Sequence, residues 1–271
     1  MIPDGRGVSA GGTFGRRDTR GVAGHDGPMH GRIRRRRLLP LLLLGMLVSG
    51  VAVVPSAAAA VGNLPTCKVG DALTARRSMT DWPRSILDTW YRLSSTYAPS
   101  DRVSTSNAGL NSGYSVRELV IPDLKAMASA AKAAGARFSV QSAYRSYATQ
   151  KATFQYWVDL HGYAYALTES ARAGHSEHQL GTTLDLRSYG GPAPWDVTSW
   201  ETTKAGAWLG ANAWKYGFVM SYPKGKTSLT CYMYEPWHFR YVGRAVAKAV
   251  HDSKLTLREY LWRQQRLILF F

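Results

Sequence analysis

Five residues of this chain have the types and spacing to do chemistry together: His175, His178, Asp185, Glu235 and His238. The first three stand in His175-Ser176-Glu177-His178-Gln179-Leu180-Gly181-Thr182-Thr183-Leu184-Asp185, the other two in Glu235-Pro236-Trp237-His238-Phe239-Arg240-Tyr241. Imidazole nitrogens and a carboxylate are the donors of a catalytic zinc site, which takes three protein ligands and keeps a position open for water. His175 and His178 are not separable by spacing alone. His161 and His251 fall at expected helix ends, the ordinary place for a satisfied or solvent-facing histidine. Asp185 lies between Leu184 and Leu186, so its carboxylate needs a partner, whether an arginine, a set of donors or a metal. Pro236 fixes the backbone and Trp237 supplies a dry wall, an environment that raises a carboxyl pKa and suits Glu235 to general-base work. The plain alternative is a surface Glu235 and a core His238. No His-Glu-x-x-His helix is present, which excludes the common zinc-protease pattern.

These residues need elements to hold them. Pro122–Ala134 reads as a helix, opened by proline and stopped by Gly135. Arg137–Ser142 alternates as a strand and leads through Ala143-Tyr144-Arg145-Ser146 into a helix over Tyr147–Leu160, ended by Gly162. Ala164–Arg172 continues as a short helix. Thr182–Leu186 is a β-branched run read as the strand that carries Asp185. A helix follows from Ser199 or Thr203 to Tyr216, then strands over Phe218–Tyr222 and Thr230–Tyr234 and a helix over Gly243–His251. Thr256 and Glu259 stand at capping-box spacing at the head of a last helix, Thr256–Gln265. Upstream, Ile86–Leu93 has the pattern of a short amphipathic helix. Short strands alternating with helices, without long βαβ units, point to the α+β class.

Taken as motifs, Ser176-x-His178-x-x-Gly181-x-x-x-Asp185 and Glu235-x-Trp237-His238-x-Arg240-Tyr241 resemble the zinc D-alanyl-D-alanine carboxypeptidases and dipeptidases of the vancomycin-resistance type. Gln141-Ser142-Ala143-Tyr144-Arg145-Ser146 resembles a third motif of that family, in the right order, and the likeness runs from about Cys67 to Trp262. Thr183 departs from the family, which often has Ala there. The resemblance implies a small central, mainly antiparallel sheet flanked by helices, the hedgehog/D-Ala-D-Ala peptidase-like arrangement. It implies that His178, Asp185 and His238 bind Zn2+, that Glu235 is the base, and that His175 falls beside the motif. Arg145 fits a fork for a carboxylate or a developing oxyanion, its alternative being a surface arginine. Ser176 and Gln141 complete a pocket for the substrate's terminal carboxylate. The expected activity is removal of the terminal D-Ala from peptidoglycan stem peptides. D-Ala-D-Ala dipeptidase, L,D-carboxypeptidase and wall endopeptidase activities use the same chemistry, and a non-catalytic wall-binding module is the alternative of another class.

Export frames that expectation. Residues 1–31 are Gly- and Arg-rich and could not bury a core. Arg32–Arg37, the apolar run Leu38–Val54 and Ala57–Ala60 then form the n-region, h-region and small-residue end of a signal peptide, with no stable membrane span after cleavage. Met29, just ahead of the basic run, is a candidate start. The expected organisation is an extension and signal over 1–60, one catalytic domain over 61–265, and an apolar tail over 266–271. Nine Lys and Arg and three Asp and Glu stand in residues 1–60, which leaves +10 of the chain's net +16 on the remainder. A basic secreted protein suits an anionic cell wall, whereas the absence of a clustered Lys/Arg helix argues against nucleic acid. The expected form is an extracellular, wall-associated monomer. Cys67 and Cys231 fit no zinc motif; in an exported chain a bridge between them is favoured over two free thiols.

Overall fold

Two strands show how the sequence builds a site on one face of a sheet and a core on the other. In Thr183–Ser188, Leu184 and Leu186 enter the main apolar core, and period-two alternation turns Asp185 to the opposite face. In His238–Tyr241, Phe239 and Tyr241 enter the same core while His238 and Arg240 face away from it. The two strands pair antiparallel with Asp185 directly opposite His238.

The structure is a computed structural model and describes residues 63–267, which fall within one compact unit. The expected N-terminal extension, signal segment and Met29 start, and residues 268–271 of the tail, lie outside the described residues. Strands are β1 (Ala72–Leu73), β2 (Tyr91–Arg92), β3 (Arg102–Ser104), β4 (Ser115–Arg117), β5 (Phe138–Ser142), β6 (Thr183–Ser188), β7 (Phe218–Met220) and β8 (His238–Tyr241). Helices are α1 (Ile121–Ala133), α2 (Tyr147–His161), α3 (Tyr163–Glu169), α4 (Lys204–Asn212), α5 (Thr227–Thr230), α6 (Arg244–Ser253) and α7 (Leu257–Leu267). The central sheet has the order β5-β6-β8-β7 and every pairing in it is antiparallel. This is the α+β arrangement expected. On one face of the sheet, α1 and α4 supply Leu124, Met127 and Leu209 to the core with Val140, Leu184 and Phe218. A second core beneath α6 and α7 gathers Val242, Ala247, Val250, Leu257 and Leu261.

Local signals place the elements. Thr256 and Glu259 close the expected capping box at the start of α7: the Thr256 N–H donates to Glu259 Oε2 at 2.9 Å, and the Glu259 N–H to Thr256 Oγ1 at 3.2 Å. The edge strand β5 is pinned by a side chain acting as backbone, since Asn111 donates to the Val140 carbonyl (3.0 Å) and accepts its N–H (2.8 Å). Cys67 and Cys231 form the expected disulfide.

Two expected elements are absent. Ile86–Leu93 is not a helix, because Asp88 caps the Trp90 and Tyr91 N–H groups at 2.8 and 2.7 Å and turns the chain into β2. Asp88 is itself held in place by buried Arg258 at 2.7 Å. Thr230–Tyr234 is not a strand: one helical turn, α5, ends at Cys231 with φ 71°, a left-handed backbone that a ladder cannot contain.

Candidate metal and catalytic site

His178 comes from a 3-10 turn, Glu177–Leu180, that enters β6 through Gly181 at φ 73°. A Cβ at Gly181 would stand 2.9 Å from Arg117 Cγ, so glycine is needed there for both backbone and space. Ser176 is buried and caps this turn, its Oγ accepting the His178 N–H at 3.3 Å. Residues 174–186 are buried without a break. Cross-strand pairing then brings His238 beside Asp185, and one donor atom each from His178, Asp185 and His238 lie within 4.8 Å of one another.

The hydrogen bonds of this cluster indicate which atoms are free. His178 Nδ1 lies 2.6 Å from the Ala143 carbonyl, which accepts only, so Nδ1 carries the proton. His178 Nε2 then holds a lone pair; it has no hydrogen bond, yet it stands 3.2 Å from Asp185 Oδ2. Burial, helped by the nearby Arg145 charge, lowers the His178 pKa to about 4, while Asp185, despite its burial, is held well below the usual carboxylate range by His178 and His238. A cation between these two electron-rich atoms, whether a proton or a metal ion, would satisfy both. His238 is oriented in the same way. Its Nε2 lies 3.1 Å from Glu177 Oε2, which leaves Nδ1, 3.1 Å from Asp185 Oδ1, as the atom turned into the cluster. Burial opposes charge on His238, but its bonds to Asp185 and Glu177 outweigh this and raise its pKa to about 10 in the metal-free chain. The donor set therefore fits a divalent cation with mixed nitrogen and oxygen preference.

Glu235 stands at the mouth of the cluster, with Oε2 3.4 Å from His238 Nδ1 and its side chain 26% exposed. The surrounding protein, foremost by desolvation, pushes its carboxyl up to about 7, while one open side admits water. Arg145 follows β5; its backbone N–H donates to the His178 carbonyl at 3.3 Å and its buried Nε has no hydrogen-bond partner. Gln141 is half-buried at an irregularity in the β5–β6 register between Val140 and Ser142, and bulges of this kind re-aim side chains beside active sites.

His175 lies outside the cluster. It is buried, with Nδ1 2.7 Å from the Asp88 carbonyl and Nε2 3.2 Å from Asp71. His161 packs on Trp157 and Tyr165, and His251 stacks on Trp214 at 4.0 Å. Among the described residues Asp185 pairs with no arginine; beside it stands a buried pair, Glu177 with Arg240, which sequence reasoning missed. Arg240 donates to Glu177 Oε1 at 2.7 Å and to the Trp82 and Ser85 carbonyls, and Ser221 donates to Glu177 Oε2 at 2.6 Å. Burial would raise the Glu177 carboxyl, but Arg240 and His238 hold it at about 2. The signal was there: Glu177 precedes one histidine of the cluster, His178, and Arg240 follows the other, His238, by two, on the cluster's face of β8.

A sheet carrying a His, Asp, His cluster with a glutamate at its edge is an arrangement able to hold a metal ion beside a carboxylate, and the comparisons give the class. The family model for VanY, D-alanyl-D-alanine carboxypeptidase, matches residues 113–244. A putative carboxypeptidase, YodJ, of Bacillus subtilis is 37% identical over 188 residues, 68% of each chain. Among solved structures, the LdcB LD-carboxypeptidase superposes with a TM-score of 0.61 at 33% identity, covering 70% of this chain and 94% of that one. A vancomycin-resistance D,D-pentapeptidase VanY variant in complex with Zn(II) gives 0.57 at 29% identity, covering 66% and 99%. The chain belongs to the VanY family of D-alanyl-D-alanine carboxypeptidases. It is a carboxypeptidase by that membership, with the fold that its motifs led one to expect.

Proposed function

We propose that the chain is an exported zinc carboxypeptidase that removes the terminal D-Ala of peptidoglycan stem peptides. The observation that carries this is the buried cluster of His178 Nε2, Asp185 and His238 Nδ1, whose donor atoms converge within 4.8 Å of one another. These three residues would hold a zinc ion, which would supply a polarised carbonyl and a water whose pKa is lowered to about 7. Glu235, desolvated but open to water, takes a proton from the attacking water and returns it to the leaving amine nitrogen. Arg145 holds the substrate's terminal carboxylate with its planar fork, and Gln141 borders the same end. Glu177 keeps His238 in the tautomer whose Nδ1 is free. The Cys67–Cys231 bridge and the basic charge suit work outside the cell along an anionic wall.

A second reading has a specific observation behind it: the LdcB relative, named an LD-carboxypeptidase, is as similar as the D,D enzyme. D-alanine release from a stem pentapeptide, measured before and after chelation and zinc restoration, tests the first reading. A tetrapeptide ending in a single D-Ala tests the second. Chelator-sensitive release restored by zinc is expected, with Glu235→Gln inert yet binding zinc as wild type does. Equal inertness of wild type and Glu235→Gln on both peptides would leave a wall-binding module in place of an enzyme.

A further inference from the structure

Residues 65–73 form a strap that is tied at both ends to the segments carrying the site. At its start, Cys67 is bonded to Cys231, and the buried Arg258 donates to the Pro65 carbonyl at 3.1 Å and to the Leu229 carbonyl at 2.9 Å. At its end, the Gly70 and Ala72 N–H groups donate to the Thr89 and Trp90 carbonyls at 3.0 and 3.1 Å. Asp71 accepts there from Arg172 at 3.1 Å and stands 3.2 Å from Nε2 of His175, three residues before His178. One end therefore holds the chain leading to His178, and the other holds the chain four residues before Glu235.

The two ties are not equivalent, because the segments they hold differ in what else fixes them. His178 lies in a buried 3-10 turn, Asp185 and His238 lie in paired strands, and the Leu93 N–H also holds the Gly174 carbonyl at 2.9 Å. Glu235 has no such frame, since residues 232–237 belong to no helix or strand. Its N–H donates to the Tyr222 carbonyl at 3.1 Å, and its own carbonyl accepts the His238 N–H at 3.1 Å. The chain reaches it from Cys231, whose φ of 71° is rare for a residue with a Cβ. Such a backbone persists where its surroundings over-determine it, and here the bond to Cys67 does so. The next residue, Tyr232, is buried against the Tyr222 ring at 5.1 Å. A shift at Cys231 thus reaches Glu235 through one ring pair and one hydrogen bond.

A general base is sensitive to such a shift. It acts within hydrogen-bond reach of the proton it takes, and a misplacement of about 1 Å costs on the order of 100-fold in rate. The cluster of His178, Asp185 and His238 is spared, because strand pairing and buried side chains hold it without the strap.

We propose that the Cys67–Cys231 bridge is a positioning device for Glu235, so that oxidation of this thiol pair switches hydrolysis on. The two thiols give up two protons and two electrons to an external disulfide, which is reduced to two thiols as the Sγ–Sγ bond forms. The reduced chain keeps its metal-binding cluster but not the placement of its base. Hydrolysis is thereby confined to a compartment in which disulfides persist. The inference rests on the peptidase reading above, in which Glu235 is the base.

The test compares the oxidised protein, the same protein after a phosphine reductant, and Cys67→Ser, each well below its melting temperature. On the stem pentapeptide, kcat is expected to fall about 10–100-fold in the reduced protein and in Cys67→Ser, with KM and zinc affinity within about two-fold of the oxidised protein. Glutathione disulfide should restore the reduced protein and leave Cys67→Ser slow. An unchanged kcat beside a lower melting temperature makes the bridge a stabilising tie only and overturns the proposal. So does a loss of zinc affinity of about ten-fold or more, since the metal-binding side chains rather than the base have then moved. If the oxidised protein cleaves neither the pentapeptide nor the tetrapeptide, the peptidase reading has failed instead. Amide hydrogen exchange then decides the positioning role. Faster exchange at Glu235 on reduction, with residues 183–188 and 238–241 unchanged, supports it; equal exchange, or lost protection throughout, overturns it.

Discussion

Glu177→Gln is the substitution that probes the architecture most sharply, because it changes one atom's chemistry at the junction of the fold and the site. Glu177 and Arg240 are both buried, at 2.7 Å, with Arg240 fully inaccessible. Gln retains the shape and an acceptor but removes the charge, leaving Arg240 with the Trp82 and Ser85 carbonyls and no counter-ion. Breaking a buried pair by removing one partner costs about 3–5 kcal/mol. At roughly 2–4 °C per kcal/mol for a domain of this size, the apoprotein should melt roughly 6–20 °C lower. The amide must also place its NH2 against either Arg240 Nη1 or His238 Nε2–H, both donors, so the His238 ring loosens. Losing a partner of this kind weakens metal binding by about 10–100-fold. Calorimetry gives the first number and a competitive zinc titration the second. A double substitution with Arg240→Met should cost less than the sum of the two single changes by on the order of 2 kcal/mol. Wild-type melting and wild-type zinc affinity in Glu177→Gln would refute the claim that this pair positions His238.

Other outcomes follow from the same structure. Arg145→Ala should lower kcat/KM by about two to three orders of magnitude, while zinc stoichiometry stays unchanged; a loss below ten-fold removes Arg145 from the carboxylate end. Burial lowers the His175 pKa below 6.5 in the folded chain, so the unfolded chain takes up the proton first and this contribution to stability is lost as pH falls from about 6.5 towards the folded value. Denaturant titrations of wild type and His175→Gln should show the wild-type advantage shrinking across that window; a constant gap contradicts the assignment. Reducing the Cys67–Cys231 bridge, which spans a sequence separation of 164, should cost about 2–5 kcal/mol, read as a fall in melting temperature with a thiol reductant.

Much of the site was legible because its chemistry is local. The spacing Ser176-x-His178-x-x-Gly181-x-x-x-Asp185 encodes a capped turn, a left-handed glycine and a strand, each fixed by nearest-neighbour geometry. Glu235 and His238 are likewise set by a short segment around Pro236. The capping box of α7 and the glycine stop of α2 were readable for the same reason. What sequence spacing could not separate was His175 from His178. That choice depends on partners about 35 to 104 residues away: Ala143 for one, Asp71 and Asp88 for the other.

Long-range contact decided the rest. Ile86–Leu93 has a helical pattern, but Asp88 is needed as an anchor for Arg258, 170 residues on, and its caps turn the backbone instead. Thr230–Tyr234 has strand-like residues, but the tie at Cys231 bends the chain into the left-handed region. The Glu177–Arg240 pair joins segments that no local rule brings together. The sequence by itself determined the donor types, their turns and the two-residue alternation that sorts site face from core face. Only the tertiary structure decided which nitrogens are left without protons and which carboxylate faces which charge, because burial and strand register are properties of the assembled sheet.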